Sequence, residues 1–364
     1  MNETTETITG LRCWVEVNIS ALHHNANVLR SRTPAGLMAV VKANAYGHGT
    51  AHVAGALEGM VAMFGVANLR EAREVRAVSK KTPVFILGTV LPCEREAIVR
   101  EGFIPVVSSV GEALALSAFG YVKLHLAIDT GMGRMGVWKD DALAVAQEIL
   151  RMPGVELAGV CSHLSCADSD AEFTLAQLDL FESLAAAIAA LSPTPLLLHV
   201  ENSAATLAFP THAAGIVRCG LALYGVSPIA EFQHLFRPVL VWKTRVLLVR
   251  EMEPGRGISY GRTYVTARKM RIATLAVGYA DGYPRALSGS GAAVLIKGIR
   301  CPVVGRVTMD QIMVDVSEVA DAISGDEAAL LGDGIHANEL AEKARTIPWD
   351  IFTGIGQRVA RIAV

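Results

Sequence analysis

Ala39-Val-Val-Lys-Ala-Asn-Ala-Tyr-Gly-His-Gly49 is the stretch whose reading decides the fold. Met38 to Val41 is a short apolar run of strand type that carries Lys42 to the strand's carboxyl end, where Asn44, Gly47 and Gly49 break the chain before a helical segment from about Ala51. In an α/β barrel such strand-to-helix loops hold the reactive groups. An amine leaving an apolar strand loses hydration, which lowers its pKa and suits it to form a Schiff base or carry a proton. A lone lysine after a strand is more commonly a solvated side chain, so the rest of the sequence has to decide.

Outward from Lys42, strand-like runs recur at residues 38–41, 63–66, 84–87, 105–107, 122–128, 155–162, 196–200 and 216–218. An earlier helix is expected to be capped by Ser20, and the stretches 69–78, 110–119, 140–150 and 172–191 are Ala-, Leu- and Glu-rich with helical periodicity. This alternation predicts parallel βα units, and eight of them closing on themselves predict a (β/α)8 TIM barrel. A doubly wound open sheet is the competing architecture, but no GxGxxG follows the first strand. Near Phe236-Arg-Pro238 the pattern changes to β-branched runs at 240–249, 270–277, 293–296, 302–307 and 312–316, with one clear helix near 337–343. The expectation is a barrel over residues 1–237 followed by a mainly β C-terminal domain over 238–364, with the segment at about 11–17 free to pair with the β domain.

Length and composition agree with two domains. The chain has 364 residues, 52% of them apolar and 19% charged, and a formal net charge of −2, which gives no electrostatic reason to expect nucleic acid or an anionic membrane as partner. The six cysteines are scattered without a CxxC pair, so neither a disulfide framework nor a metal site is expected. Residues 1–10 lack a basic-then-apolar pattern and no run of 18 apolar residues follows, so a cytoplasmic protein is expected.

Chemistry-bearing residues gather at the ends of the later barrel strands. Asp129-Thr-Gly-Met-Gly-Arg-Met-Gly136 offers flexible backbone and, in Arg134, a bidentate fork for a carboxylate. His163 follows the sixth strand, and His199 ends the seventh just before Ser203. Arg218-Cys-Gly-Leu221 lies just past the eighth, with Arg218 expected in a loop where exchange for glutamate would leave folding intact. The last two loops are where barrels commonly hold a phosphate.

The stretch 39–49 resembles the lysine motif of fold-type III pyridoxal-phosphate enzymes, most closely alanine racemases. The likeness extends in family order through 129–136, His163, His199 with Asn202-Ser203, 217–225 with Arg218 and Tyr224, Ser259-Tyr-Gly261, 278–285 and 304–311. The resemblance implies that Lys42 holds pyridoxal 5'-phosphate, with Tyr46, Ser203, Gly220 and Leu221 around the phosphate. It implies that Arg218 faces the pyridine nitrogen with support from His199, and that Arg134 and the Met309 amide orient the substrate carboxylate. Tyr260 would be the second acid/base, reaching across from the partner of a homodimer with shared active sites, with His163 as its hydrogen-bonded neighbour and Tyr279 and Asp310 as further supporting residues. Because arginine keeps its proton, Arg218 should limit charge delocalisation into the ring and suppress transamination. The implied reaction is the interconversion of L- and D-alanine, supplying peptidoglycan synthesis.

Three departures bear on substrate breadth. Ala127 stands where many alanine racemases carry a lysine two residues before Asp-Thr-Gly, Gln357 where some have a tyrosine at the entrance, and Thr308 where a cysteine is common. A broad-specificity or serine racemase therefore remains open. A fold-type III decarboxylase would pair the pyridine nitrogen with an acidic residue, and a non-catalytic cofactor carrier would lack the β domain.

Overall fold

Eight parallel strands carry the first half of the molecule, as the alternation predicts. The computed structural model describes residues 10–209 and 215–364 and falls into two compact units. After β1 (Cys13–Val17), the barrel strands are β2 (Gly36–Val40), β3 (Met63–Val66), β4 (Val84–Ile86), β5 (Ile104–Val107) and β6 (Val122–Asp129). They continue, past the two-residue β7 (Val137–Trp138), with β8 (Val155–Cys161), β9 (Leu197–His199) and β10 (Ile216–Cys219). Their order is β10-β2-β3-β4-β5-β6-β8-β9, every pairing is parallel, and β7 branches from β6. A parallel bridge between Asn202 and Arg218, with the Arg218 amide donating to the Glu201 carbonyl at 2.9 Å, joins the two ends of this order into a ring.

The period of two in each strand sorts its side chains between two cores. In β6, Leu124, Leu126 and Ile128 join Ile149, Phe181 and Ile188 of the surrounding helices. Ala127, on the opposite face, joins Met38, Phe85, Val106, Cys161 and Ile216, contributed by other strands, which fill the interior of the ring. The helices start where side chains satisfy the first amides: Asn68, Ser109 and Asp170 cap Leu69–Val78, Val110–Ser117 and Ala171–Ala189. The expected cap at Ser20 is not found, because the helix Ile19–Ser31 already includes it in its first turn.

The second unit comprises residues 10–19, Tyr46–Gly49 and Pro238–Val364. Its strands are β11 (Leu240–Met252), β12 (Gly257–Ile258), β13 (Tyr264–Val265), β14 (Met270–Leu275), β15 (Ala293–Ile296), β16 (Ile299–Val304), β17 (Ile312–Asp315), β18 (Glu327–Leu331) and β19 (Ala360–Ala363). The order β14-β17-β16-β15-β18-β11 closes through a second β11–β14 pairing, and β1 and β19 extend it from β11. The amino-terminal strand thus belongs to this sheet, with Val15 opposite Trp242. Trp14, Trp242 and Tyr283 are fully buried in the unit. A helix at Pro348–Thr353 joins Ala337–Ala344, so the expectation of a single helix was short by one. Six residues are too few to show a helical period, and Pro348 at the first position was its only sequence signal.

Candidate active site

Lys42 leaves β2 through Val41 into a turn that no strand-to-helix loop would be expected to make. Ala43, Asn44, Ala45 and Tyr46 all have φ between 52 and 54°, so the backbone winds left-handed for four non-glycine residues. Each such residue costs about 1–2 kcal/mol relative to the right-handed form. Several bonds hold the turn against that cost. The Ala45 amide donates to the Val41 carbonyl at 2.8 Å, and the Ala43 amide to Glu71 Oε1 at 2.9 Å. The Asn44 carboxamide oxygen accepts from the Thr50 amide at 2.9 Å. Strain of this kind concentrates at functional sites, where it fixes a direction for the side chain. Lys42 is half-buried, and its pKa is lowered first by that burial and then by Arg134 and Arg218, with Glu71 opposing.

Arg218 anchors a buried polar chain inside the barrel unit. It lies in β10 at 6% exposure rather than in a loop, which overturns the expectation for its glutamate variant. Nη1 donates to the His199 carbonyl at 2.6 Å and to His199 Nδ1 at 2.8 Å. Nη2 donates to the Ser162 carbonyl at 2.6 Å, the Val200 carbonyl at 3.1 Å and His163 Nδ1 at 3.1 Å. Because arginine can only donate, both imidazoles must accept at Nδ1 and carry their proton on Nε2. His199 then donates from Nε2 to His125 Nδ1 at 2.7 Å, so the direction of the whole chain is set by one guanidinium. Burial, reinforced by the Arg218 charge, pushes His125 and His163 down to about 3 and lowers His199, which keeps all three neutral. Among the described residues, Nε of Arg218 donates to nothing, so one N–H of the fork is left for an acceptor.

Around this chain the barrel unit places most of the residues singled out in the sequence. Ser203 opens the short helix Ser203–Ala208, whose first amides are capped by Asn202, and its Oγ accepts from the Gly220 amide at 3.0 Å. Gly220 leads into the 3-10 turn Leu221–Tyr224, and the Tyr224 hydroxyl donates to the Val40 carbonyl at 2.9 Å, tying that turn to the strand before Lys42. Asp129 folds its own loop: Oδ1 accepts from the amides of Gly131 and Met132 at 2.9 and 2.8 Å, and Oδ2 from Gly133 at 2.9 Å. Arg134 leaves this loop exposed, without a bond among the described residues. Ala127 lies in the apolar interior, so the position that is a lysine in many alanine racemases offers Arg134 no polar support.

The second unit carries the other residues. Tyr260 is 72% exposed and bonds nothing among the described residues. It is displayed by a strained turn, with Ser259 at φ 62°, ψ −175° and its hydroxyl donating to the Arg306 carbonyl at 2.7 Å. Tyr279 and Met309 are exposed and lie on joined segments, since the Tyr279 and Ala280 amides donate to the Thr308 and Met309 carbonyls at 3.0 Å each. The Met309 amide itself donates to nothing among the described residues, while Thr308 closes its turn on Gln311. Asp310 and Gln357 are exposed. Tyr46 belongs to this unit and is buried.

Sequence reasoning missed His125, Gln177 and Glu201. His125 had a local signal, a polar residue between Leu124 and Leu126 in register with Ala127 on the inward face of β6. Gln177 sits on a long helix and donates to Thr130 Oγ1 at 3.2 Å and to the His163 carbonyl at 3.3 Å, a bridge that only folding creates. Glu201 is 2% exposed with neither carboxyl oxygen bonded among the described residues, and burial raises its pKa to about 7 against the lowering effect of Arg218.

The ring of parallel strands, with a lysine, an arginine and neutral imidazoles at their carboxyl ends, defines a barrel enzyme followed by a β domain. The comparisons name the family more closely. Residues 17–228 match the alanine racemase N-terminal domain and residues 239–363 the alanine racemase C-terminal domain. An alanine racemase from Symbiobacterium thermophilum is 42% identical, covering 97% of this chain and 98% of that protein, and one from Halothermothrix orenii is 40% identical, covering 96% of each. The crystal structure of alanine racemase from a D-cycloserine-producing Streptomyces lavendulae superposes with a TM-score of 0.90 at 35% identity, over 97% of each chain. The chain belongs to the alanine racemase family.

Proposed function

We propose that the protein interconverts L-alanine and D-alanine with pyridoxal 5'-phosphate, using two acid/base groups on opposite faces of the substrate. The observation that carries the reading is the buried Arg218 fork, whose Nη groups are engaged by carbonyls and imidazoles while Nε–H is left for an acceptor such as a pyridine nitrogen. The other residues fit the same group. Lys42 provides an amine with a lowered pKa for its aldehyde, and Tyr46, Ser203 with the Gly220 amide, and Leu221 provide a phosphate setting. When bound, pyridoxal phosphate accepts the electron pair left at the substrate Cα.

The rest is done by side chains of this protein. Lys42 Nζ holds or releases the α-proton on one face and Tyr260 Oη of the partner subunit does so on the other, so that inversion requires only one proton exchanged on each side. His163, neutral and with its proton on Nε2, serves as the hydrogen-bonding neighbour of Tyr260. Arg134 and the free Met309 amide orient the carboxylate, and Tyr279 and Asp310 support them. Arg218 keeps its own proton and thereby limits charge delocalisation into the ring. In this reading the barrel unit holds the cofactor, and the second unit delivers Tyr260 and Met309 across a homodimer. The product supplies peptidoglycan synthesis in the cytoplasm. A second reading, resting on Ala127 in the apolar interior and on the exposed Gln357, is a broad-specificity or serine racemase of the same fold.

The test is a panel of L- and D-amino acids incubated with the purified, pyridoxal-loaded protein and resolved by chiral chromatography. Equal conversion of both alanine enantiomers towards a 1:1 mixture is expected. Decarboxylation products, or no enantiomer exchange with any amino acid, would overturn the reading.

A further inference from the structure

Residues 352–361 of the second unit touch two site-bearing loops from distant parts of the sequence. On one side, Arg361 Nε donates to the Gly47 carbonyl at 2.9 Å, while Nη1 donates to the Gly356 and Val359 carbonyls at 2.6 Å each and Nη2 to the Ile355 carbonyl at 2.7 Å. One planar fork thus fixes the residue after Tyr46 relative to three carbonyls of the carboxyl-terminal loop. The approach is close: a Cβ on Gly47 would stand 2.1 Å from the Phe352 carbonyl oxygen. His48 completes the contact, with Nδ1 2.8 Å from the Tyr46 carbonyl and its ring 5.1 Å from that of Phe352.

On the other side, Arg358 spans two carboxylates. Its Nε lies 3.1 Å from Asp281 Oδ1 and its Nη2 2.9 Å from Asp310 Oδ1. Asp281 is an anchored post, 5% exposed, with Oδ2 accepting from the Gly278 amide at 2.9 Å and its carbonyl accepting from the Gly356 amide at 2.8 Å. Asp310 is exposed and directly follows Met309. A guanidinium between a fixed and an exposed carboxylate sets the orientation of the second as well as its distance, because its donors are rigidly forked.

We propose that residues 352–361 act as a two-armed clamp, in which Arg361 is a positioning residue for Tyr46 and Arg358 a positioning residue for the Met309 amide. The inference rests on the reading above, in which Tyr46 meets the cofactor phosphate and Met309 the substrate carboxylate. Its content is that two arginines three residues apart control two different ligands. A purely structural role for the segment would move both ligands together.

The experiment uses the holoenzyme and compares Arg361→Lys and Arg358→Gln with wild type. It measures release of pyridoxal phosphate by visible absorbance during dialysis, KM and kcat for L-alanine, and Tm. For Arg361→Lys, cofactor release about tenfold faster with KM changed by less than about twofold is expected. For Arg358→Gln, KM raised about three- to tenfold with unchanged cofactor release is expected. Both variants shifting both quantities in parallel with Tm, or neither variant shifting its own quantity, would overturn the clamp. Should Arg361→Lys fail to fold, the exposed Arg358→Gln decides alone: raised KM with unchanged release sustains the clamp, and unchanged KM overturns it. A wild type that binds no pyridoxal phosphate fails the functional reading itself, which is seen before any variant is compared.

Discussion

Arg218 and Tyr260, both needed by the proposed reaction, sit at opposite extremes of burial. The arginine is 6% exposed, and its Nη groups are bonded to three carbonyls and two imidazoles of its own unit. The tyrosine is 72% exposed and stands on a strained turn without a bond to any described residue. The barrel therefore holds Arg218 in a preorganised network that costs stability to break. The second unit displays Tyr260 at its surface, so under the proposed function its loss should cost activity and leave the fold intact. The difference separates residues whose mutation reads as folding from residues whose mutation reads as catalysis.

On a common scale, where tenfold in rate is about 1.4 kcal/mol, the largest effect is expected at Lys42. Lys42→Ala should lose the visible absorbance of the bound cofactor and at least about 10⁴-fold in kcat, since it removes a covalent attachment and a base at once. An unchanged spectrum would break the assignment. Next comes Arg218→Glu, which should lower stability by about 3–5 kcal/mol in urea unfolding, because it strips donors from buried carbonyls and adds an unpaired buried carboxylate. A variant as stable as wild type would show that the network is not preorganised. Tyr260→Phe should cost about 10²–10⁴-fold in kcat with Tm unchanged. Mixing it with Lys42→Ala should restore turnover through hybrid dimers if the site is shared, and no recovery with verified subunit exchange would count against sharing.

The smallest expected effect concerns pH. The Glu201 carboxyl is raised from 4.5 to about 7 in the folded protein, chiefly by burial, so the folded state holds this proton more tightly than the unfolded chain. The resulting stabilisation is fully present below about pH 4.5 and is lost as pH rises through 7. Glu201→Gln, which keeps the neutral shape, should therefore gain about 1–3 kcal/mol over wild type between pH 5 and pH 8. Parallel stability profiles for the two proteins across that range would refute a titrating Glu201.

The barrel was legible because its signals are local. A period of two in the strands and near four in the helices survives in the sequence, and strand positions such as Met63–Val66 and the helix Leu69–Val78 coincide with the structure to the residue. The family motifs were equally legible, since they are contiguous runs around Lys42, Arg134, Arg218, Tyr260 and Met309. The left-handed turn at Ala43–Tyr46 was not, because Ala43, Ala45 and Tyr46 give no sign of positive φ, and Asn44 signals at most a single left-handed residue. Nor was the helix Pro348–Thr353, which is shorter than two helical turns.

By itself, then, the sequence determined the succession of strands and helices, the break near Phe236-Arg-Pro238 and the family to which the chain belongs, because each is written in neighbouring residues. Only the tertiary structure decided that His125, Gln177 and Glu201 lie against His199, His163 and Arg218, that Arg218 is buried, and that Arg361 reaches back more than 300 positions to Gly47. These are pairings between distant segments. Their hydrogen bonds form only once ring closure and sheet register have fixed which side chains face each other, and no local periodicity encodes that.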